Sequence, residues 1–465
     1  MVYKKKLHLL NPERLVEMEV YKTKNKTGTV KINTVRVERS VRELLSKKVS
    51  GTMGGLWLLI DEHLRLGSWD LLKMWTGNNG EDTDMRLGLQ MIHESVMCVS
   101  GIRKKKNFCN QGFELLNGLP NIATDKEIHG LLGKHTVLES EKLQEALGKI
   151  RYSRGDYKGR ILAIDPHRIR SYSRRIMPKK KSKDESLAEK ILQTFFCADT
   201  ETRQPIFFKI GTSSQTVSRA TRELLKVVRE IIPIDSLFLA DNEHFTESLI
   251  KEFVEDKRYD ILVPLPNTNK VHNMVTKLEY KNYWAGYSIG EGRYKFNNSS
   301  LEARLIAQRC GEKSSEYVYK AFIFTGKDSA VEMLTEAYPE RWSIEEFFNF
   351  EGNLGWRKAS TLNLNIRYGK MSLALIAQAL IYGLRKKLPK PSAQWTSEHL
   401  ANSLFHAIDS DIRVKDDTII VTMYNFPEEL NLRRYYENLS SILEKENVDP
   451  RIPWLYNFKI DFRFK

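Results

Sequence analysis

Between residues 160 and 265 short apolar runs alternate with one long amphipathic run, and this order constrains the fold more than any other feature of the chain. Residues 160–165, RILAID, read as a short strand ending in an acid. Residues 194–197 and 206–210, TFFC and IFFKI, read as two strands. The polar turn between them passes through Thr200 and Pro205, so they form a hairpin. Val217, Ala220, Leu224, Leu225, Val228, Ile231 and Ile232 then fall at helical spacing, and Pro233 ends the run. Residues 236–241, SLFLAD, are a second apolar strand ending in an acid; a helix over 247–254 and a strand over 261–265 follow. The element order by itself establishes an α/β architecture.

A second stretch, YPERWSIEEFFNFEGNLGWRK at residues 338–358, carries its own pattern. Its start is set by Pro339: proline fits the first position of a helix, and the residue before it avoids the helical region. A helix is therefore expected to start at Pro339, with Tyr338 just outside. Arg341, Glu345 and Phe348 share one face of it, and Trp342, Ile344, Phe347 and Phe348 supply the apolar surface that docks it. By itself an Arg and a Glu one turn apart read as a solvated ion pair.

The spacing of Tyr338, Arg341 and Glu345, with the local string Trp342-Ser343-Ile344-Glu345 before Phe347 and Phe348, resembles the signature of DDE transposases of the insertion-sequence-four group. That signature continues with a Lys, but position 352 is Gly352, and the nearest bases are Arg357 and Lys358. The resemblance implies a ribonuclease-H-like catalytic core with a β-rich insertion, preceded by a mostly helical N-terminal DNA-binding domain. It implies that Asp165, Asp241 and Glu345 form a metal triad holding two Mg²⁺ or Mn²⁺ ions. It assigns Tyr338 and Arg341 to the terminal phosphates, with Arg357 or Lys358 in the place of the missing Lys. It implies double-stranded DNA, element ends and target, as partner, and a homodimer in the DNA complex.

The chemistry of such a triad is physical. Three carboxylates at one point repel and need cations, and hard oxygen ligands suit Mg²⁺ or Mn²⁺. Two such ions ~4 Å apart activate a water or a 3′-hydroxyl and stabilise the leaving oxygen. Taken singly, an Asp after a strand is more often a turn former or helix cap. Glu346 lies about 100° round the helix from Glu345, so both cannot face one metal pair; Glu351 is the other competing acid. After Asp241 the chain reads Asn242-Glu243-His244-Phe245 where the family has Asp-Arg-Gly. His244 either meets the DNA end, donates a proton, or is an ordinary loop histidine. Pro166-His167-Arg168 after Asp165 is also unusual.

Composition supports a polyanionic partner. The 465 residues carry 74 Lys and Arg against 59 Asp and Glu, a net charge of +15, which favours nucleic acid before membrane. Residues 151–183 hold twelve bases, among them Arg151, Arg168, Lys179, Lys180 and Lys181, against Asp156 and Asp165 alone, a local charge of +10. Such a run is either a solvated loop or a phosphate-contacting segment. Trp284, with Tyr280, Tyr283 and Tyr287, either stacks on a flipped base at a DNA end or packs internally. Cys98, Cys109, Cys197 and Cys310 lie far apart, giving no zinc motif or disulfide framework and fitting a reducing cytoplasm. The apolar run at 371–384 has 14 residues, too short to span a bilayer, and reads as a buried helix.

The chain divides into five segments. Residues 1–150 read as a mostly helical DNA-binding region that opens on a basic arm with a strand-like VKINTVRV. In it Thr124 and Glu127 make a capping box, Gly133 breaks that helix, and 136–147 form the next, a helix-turn-helix or a plain hairpin. Residues 151–265 and 329–388 form the two parts of the catalytic core, and 266–328 the β-rich insertion, with strand alternation at 317–324. Residues 389–465 form an α/β region that is a candidate for dimerisation. The expected function is that of a DNA transposase of the prokaryotic, nucleoid-associated cytoplasm, cutting at terminal inverted repeats and transferring the ends. A catalytically inactive, transposase-derived DNA-binding protein is the alternative, and a stand-alone nuclease a third.

Overall fold

The structure is a computed structural model, described over residues 34–77, 82–99, 111–170, 189–212, 215–256, 258–296, 299–355 and 363–465, together with residues 108, 174, 176, 179 and 361. The chain forms two compact units, Met1–Leu143 with Phe350–Lys465, and Gln144–Asn349. The five sequence segments do not sort cleanly into these units: the N-terminal helical segment shares one with the C-terminal segment and with residues 350–388, the later part of the expected second core segment.

The unit of Gln144–Asn349 is built on a nine-stranded sheet. Its elements are β1 (Ile161–Arg170), β2 (Ile191–Asp199), β3 (Gln204–Thr212), α1 (Val217–Ile231), β4 (Ser236–Ala240), α2 (Glu247–Glu255), β5 (Tyr259–Pro264), α3 (Asn269–Val275), β6 (Tyr280–Trp284), β7 (Tyr287–Lys295), β8 (Glu302–Cys310), β9 (Val318–Phe324) and α4 (Ser343–Glu351). The strand order is β3-β2-β1-β4-β5-β9-β8-β7-β6. β1, β4 and β5 run parallel, and the flanking pairs are antiparallel. The β-rich segment from residue 266 is therefore no separate layer, because β9 pairs with β5 and carries the sheet outward.

The apolar run of β4 explains its central place. Phe238 and Ala240 face one core and Leu239 the other, as expected for a strand covered on both sides. The α1 helix docks on the first face through Leu224, Leu225, Val228 and Ile231, all fully buried or nearly so. Each contributes about 1.5–3 kcal/mol by leaving water. Thr216 caps this helix by accepting from the Arg219 N–H, which fixes where it starts after β3.

The other unit holds the helices Thr34–Leu45, Ser68–Thr76, Asp82–Val96, Asp125–Lys134 and Leu364–Arg385, and a four-stranded sheet of Val49–Gly51, Ser410–Lys415, Thr418–Met423 and Lys459–Phe464. Leu364–Arg385 is buried along most of its length, as its composition requires. Among the described residues no helix is long and apolar enough to cross a membrane.

Three expectations are corrected. The strand-like VKINTVRV becomes helix from Thr34, since Val37, Val41 and Leu45 recur at helical spacing and are buried; residues 1–33 lie outside the described residues. The Thr124 capping box forms, but its helix runs through Gly133 to Lys134 and ends where His135 takes an extended backbone. The helix at Pro339 begins earlier: Ala330–Glu332 is α-helical, Met333–Ala337 a π-turn and Tyr338–Trp342 a 3₁₀ turn leading into α4. Pro339 has no N–H to give back to the preceding turn, and the run widens before it and tightens across it instead of stopping.

Candidate active site

The site begins where two parallel strands part. Ile164 and Ala240 are the last paired residues of β1 and β4, so Asp165 and Asp241 leave that ladder side by side. The expectation that Asp165 ends its strand is corrected: β1 continues to Arg170, because β2 still pairs with it, Asp165 opposite Phe196. Pro166 lies beyond the last residue paired to β4, where a missing donor is tolerated. Asp241 instead turns the chain. Its Oδ1 accepts from the Glu243 N–H at 3.0 Å and from His244 Nδ1 at 2.8 Å, opening the 3₁₀ turn Asn242–His244.

These positions set the charge. Burial, and next the charge on Asp241, push the Asp165 carboxyl up to about 7. For Asp241 burial also works upward, but the His244 hydrogen bond and charge, the Glu243 N–H and Arg341 outweigh it, and its carboxyl lies below the ordinary range. Of two adjacent acids, one is held ionised and its neighbour holds a proton readily.

Glu345 enters from α4. Phe348 stacks on His167 at 4.5 Å, and Phe347 and Phe348 meet Phe196 at 5.9 and 5.2 Å. These rings fix the helix over β1 and β2. Arg341 then reaches both sides: Nη2 donates to Glu345 Oε1 at 2.9 Å, and Nη1 lies 3.6 Å from Asp165 Oδ1. Glu346, the neighbouring acid, pairs with Arg203 at 2.9 Å. Tyr338 packs edge-on against Phe322 at 4.8 Å.

The remaining expected residues divide. Arg168 is engaged with both carboxylate oxygens of Glu243, with Nη1 to Oε1 at 2.8 Å, so its charge is already matched. Arg151, counted in the basic run, is corrected to a core residue: it is fully buried and donates to Gln204 Oε1 at 2.7 Å. Lys179 is exposed. Lys180, Lys181, Arg357 and Lys358 lie outside the described residues. Trp284 is 53% exposed and stacks flat on Tyr287 at 4.5 Å. His244 is fully buried behind Asp241, which removes it as a surface contact for DNA; its Nε2 has no partner among the described residues.

Lys320 was not singled out by sequence. It lies on β9, and its Nζ sits 5.1 Å from the centre of the Tyr338 ring. With Asp241, Tyr319, Tyr338 and Arg341 it lines a cavity of about 430 Å³. The alternation of residues 317–324 marks the strand, but no motif marks this lysine.

The residues fit a hard divalent cation by donor type: the three acids offer oxygen only, and Asp165 and Glu345 already share one positive group. Among the described residues no three His, Cys, Asp or Glu side chains stand as a ready-made cage, since Arg341 lies between Asp165 and Glu345.

Residues 156–380 match the family described as "Transposase DDE domain". Among solved structures, a piggyBac transposase in a synaptic complex with hairpin DNA is similar at 12% identity and a TM-score of 0.41, over 70% of this chain and 70% of that one. A Mos1 mariner paired-end complex with Mn is similar at 15% identity and a TM-score of 0.17, over 32% of this chain and 44% of that one. A Mos1 transposase paired-end complex with the left transposon end is similar at 15% identity and 0.17, over 42% and 60%. No curated protein matches the chain.

Proposed function

We propose that this chain is a DNA transposase of the insertion-sequence-four type, which cuts at the terminal inverted repeats of its element and joins the ends to target DNA. The observation that carries the reading is the parting of β1 and β4 after Ile164 and Ala240, which sets Asp165 beside Asp241 while Arg341 links Asp165 to Glu345. The match of residues 156–380 to the transposase DDE domain supports it.

In this reading Asp165, Asp241 and Glu345 hold two Mg²⁺ or Mn²⁺ ions. Bound there, such ions supply an activated water or 3′-hydroxyl and stabilise the leaving oxygen. His244 keeps the Asp241 carboxylate oriented and ionised. Arg341 and Tyr338 lie beside the acids and contact the terminal phosphates. Lys179, with Lys180 and Lys181, holds the flanking backbone, and Trp284 offers a ring face to an unpaired base. Arg357 or Lys358 takes the role that the signature gives its Lys. The protein works as a homodimer, one active site for each paired end.

A second reading rests on two observations. Glu345 is committed to Arg341, and Gly352 stands where the signature has Lys. A transposase-derived protein that binds DNA without cutting it accounts for both. Supercoiled plasmid carrying the DNA that flanks this gene, incubated with the protein and Mg²⁺, separates the two. Breaks at the element ends and joined products support the transposase; a gel shift with intact plasmid supports the second reading.

A further inference from the structure

We propose that Lys320 and Arg341 form a phosphodiester clamp, and that the cavity between them receives one nucleotide unit of the DNA strand. The inference rests on the transposase reading and adds a residue and a subsite to it.

The cavity holds about 430 Å³, within the range of pockets that take small ligands, about 300–1,000 Å³. Its walls differ in kind. Pro264, Leu265, Val271 and Val275 give an apolar part of the lining, and Tyr319 and Tyr338 add aromatic side chains suited to a base. Asp241 and Arg341 add charged groups to the lining. Lys320 stands on the β9 wall, and it reaches the neighbourhood from a different strand and a different part of the chain.

The environment of Lys320 shows what it lacks. Its Nζ lies over two rings, 5.2 Å from the centre of Phe322 and 5.1 Å from that of Tyr338. Among the described residues it has no acidic partner, and its charged neighbour is Arg341, another cation. Lys320 is exposed, so a ligand reaches it from solvent; partial desolvation of its amine, then the Arg341 charge, pull its pKa below the ordinary lysine value. Arg341 differs, because Asp165 and Glu345 already face it. A cation set against rings and a second cation is relieved by an anion placed between them. A phosphodiester suits that position, since it is anionic at every working pH and adjoins the sugar and base that the cavity takes up.

The test uses the full chain and a short fluorescein-labelled duplex of random sequence with one recessed strand, and compares wild type with Lys320→Gln, Lys320→Arg and Lys226→Gln. Lys226 is an exposed lysine on α1 and serves as a control. Lys320→Gln is expected to lower the slope of log K against log salt by about 0.9, the value of one lost phosphate contact. Affinity at low salt should fall about tenfold, as for a lost charge-assisted bond. Lys320→Arg should restore both, and Lys226→Gln should change neither. Equal melting temperatures show that folding is intact. A wild-type slope in Lys320→Gln overturns the clamp. The measurement needs no cleavage: a wild-type protein that binds but never cuts element ends defeats the transposase reading and leaves the clamp standing.

Discussion

Arg341 donates to Glu345 across one helical turn at 2.9 Å while its other nitrogen faces Asp165 at 3.6 Å. One guanidinium thus sets its positive charge between a half-buried strand acid and a helix acid, and it ties α4 to β1.

Removing that cation should destabilise the unit. Arg341→Met is expected to cost about 1–2 kcal/mol, less than for a fully buried pair because Glu345 is partly in water. Asp165→Asn should recover part of the loss, since the repulsion among the acids then falls. Urea denaturation of the two single variants and the double gives the coupling. Additivity to within about 0.5 kcal/mol would show that Arg341 and Asp165 do not interact.

His244 acts through Asp241. Its Nδ1 bond at 2.8 Å orients the carboxylate from a fully buried position. His244→Ala should lower cleavage about 10–100-fold, the usual effect of losing a partner behind a ligand. The loss should appear as a higher Mg²⁺ requirement, with DNA affinity unchanged, and His244→Asn should recover part of it. An unchanged Mg²⁺ dependence would make His244 a packing residue only.

The other unit contains a pH-sensitive pair. Asn117 Nδ2 donates to the Phe113 carbonyl at 2.7 Å, so its Oδ1 faces His93 Nδ1 at 2.6 Å and accepts the proton there. His93 Nε2 is then an acceptor, and His63 Nε2 donates to it at 3.0 Å. Burial pulls both imidazoles down, His93 to about 4 despite its bond to Asn117. The unfolded chain therefore takes up protons first. Stability is complete above the ordinary imidazole pKa near 6.5 and is lost as pH falls toward 4, by about 3 kcal/mol from His93 alone. Hydrogen-exchange protection in the helix Asp82–Val96, taken relative to the intrinsic rate at each pH, should fall over that window in wild type and much less in His93→Gln. Equal pH dependence in both would contradict the account.

The basic run should carry part of the salt dependence. Changing Lys179, Lys180 and Lys181 together to Ala should lower the slope of log K against log salt by up to ~3, and weaken specific and nonspecific DNA alike. A wild-type slope would mean that the run only keeps the protein in solution.

Much of this fold is legible because burial writes a period into sequence. The runs at residues 160–165 and 236–241 show two central strands, and the acids after them mark where the ladder opens. The extension of β1 past Asp165 is not legible: it depends on β2, a strand that starts only at Ile191 and still pairs with β1 where β4 has ended, so that Pro166 is accommodated. The helical turns before Pro339 escape local reasoning in the same way, since docking holds a run that the proline alone would break. In the site, spacing shows Arg341 with Glu345, but only the folded chain shows Arg341 at Asp165, His244 behind Asp241, or Lys320 beside Tyr338. Those contacts depend on how strands and turns are brought together, and no periodicity records them. Arg151 and Arg168 show the converse: a count of bases includes charges that the fold has already matched.

The most direct test is end cleavage by three variants, Asp165→Asn, Asp241→Asn and Glu345→Gln, on labelled DNA from the element termini with Mg²⁺ present. Each removes one acid and leaves the basic surface intact. The account predicts that wild type cuts at the ends, that each variant loses cleavage at least about a hundredfold, and that all three bind the DNA with near wild-type affinity. Cleavage that survives any one of the substitutions would contradict the triad.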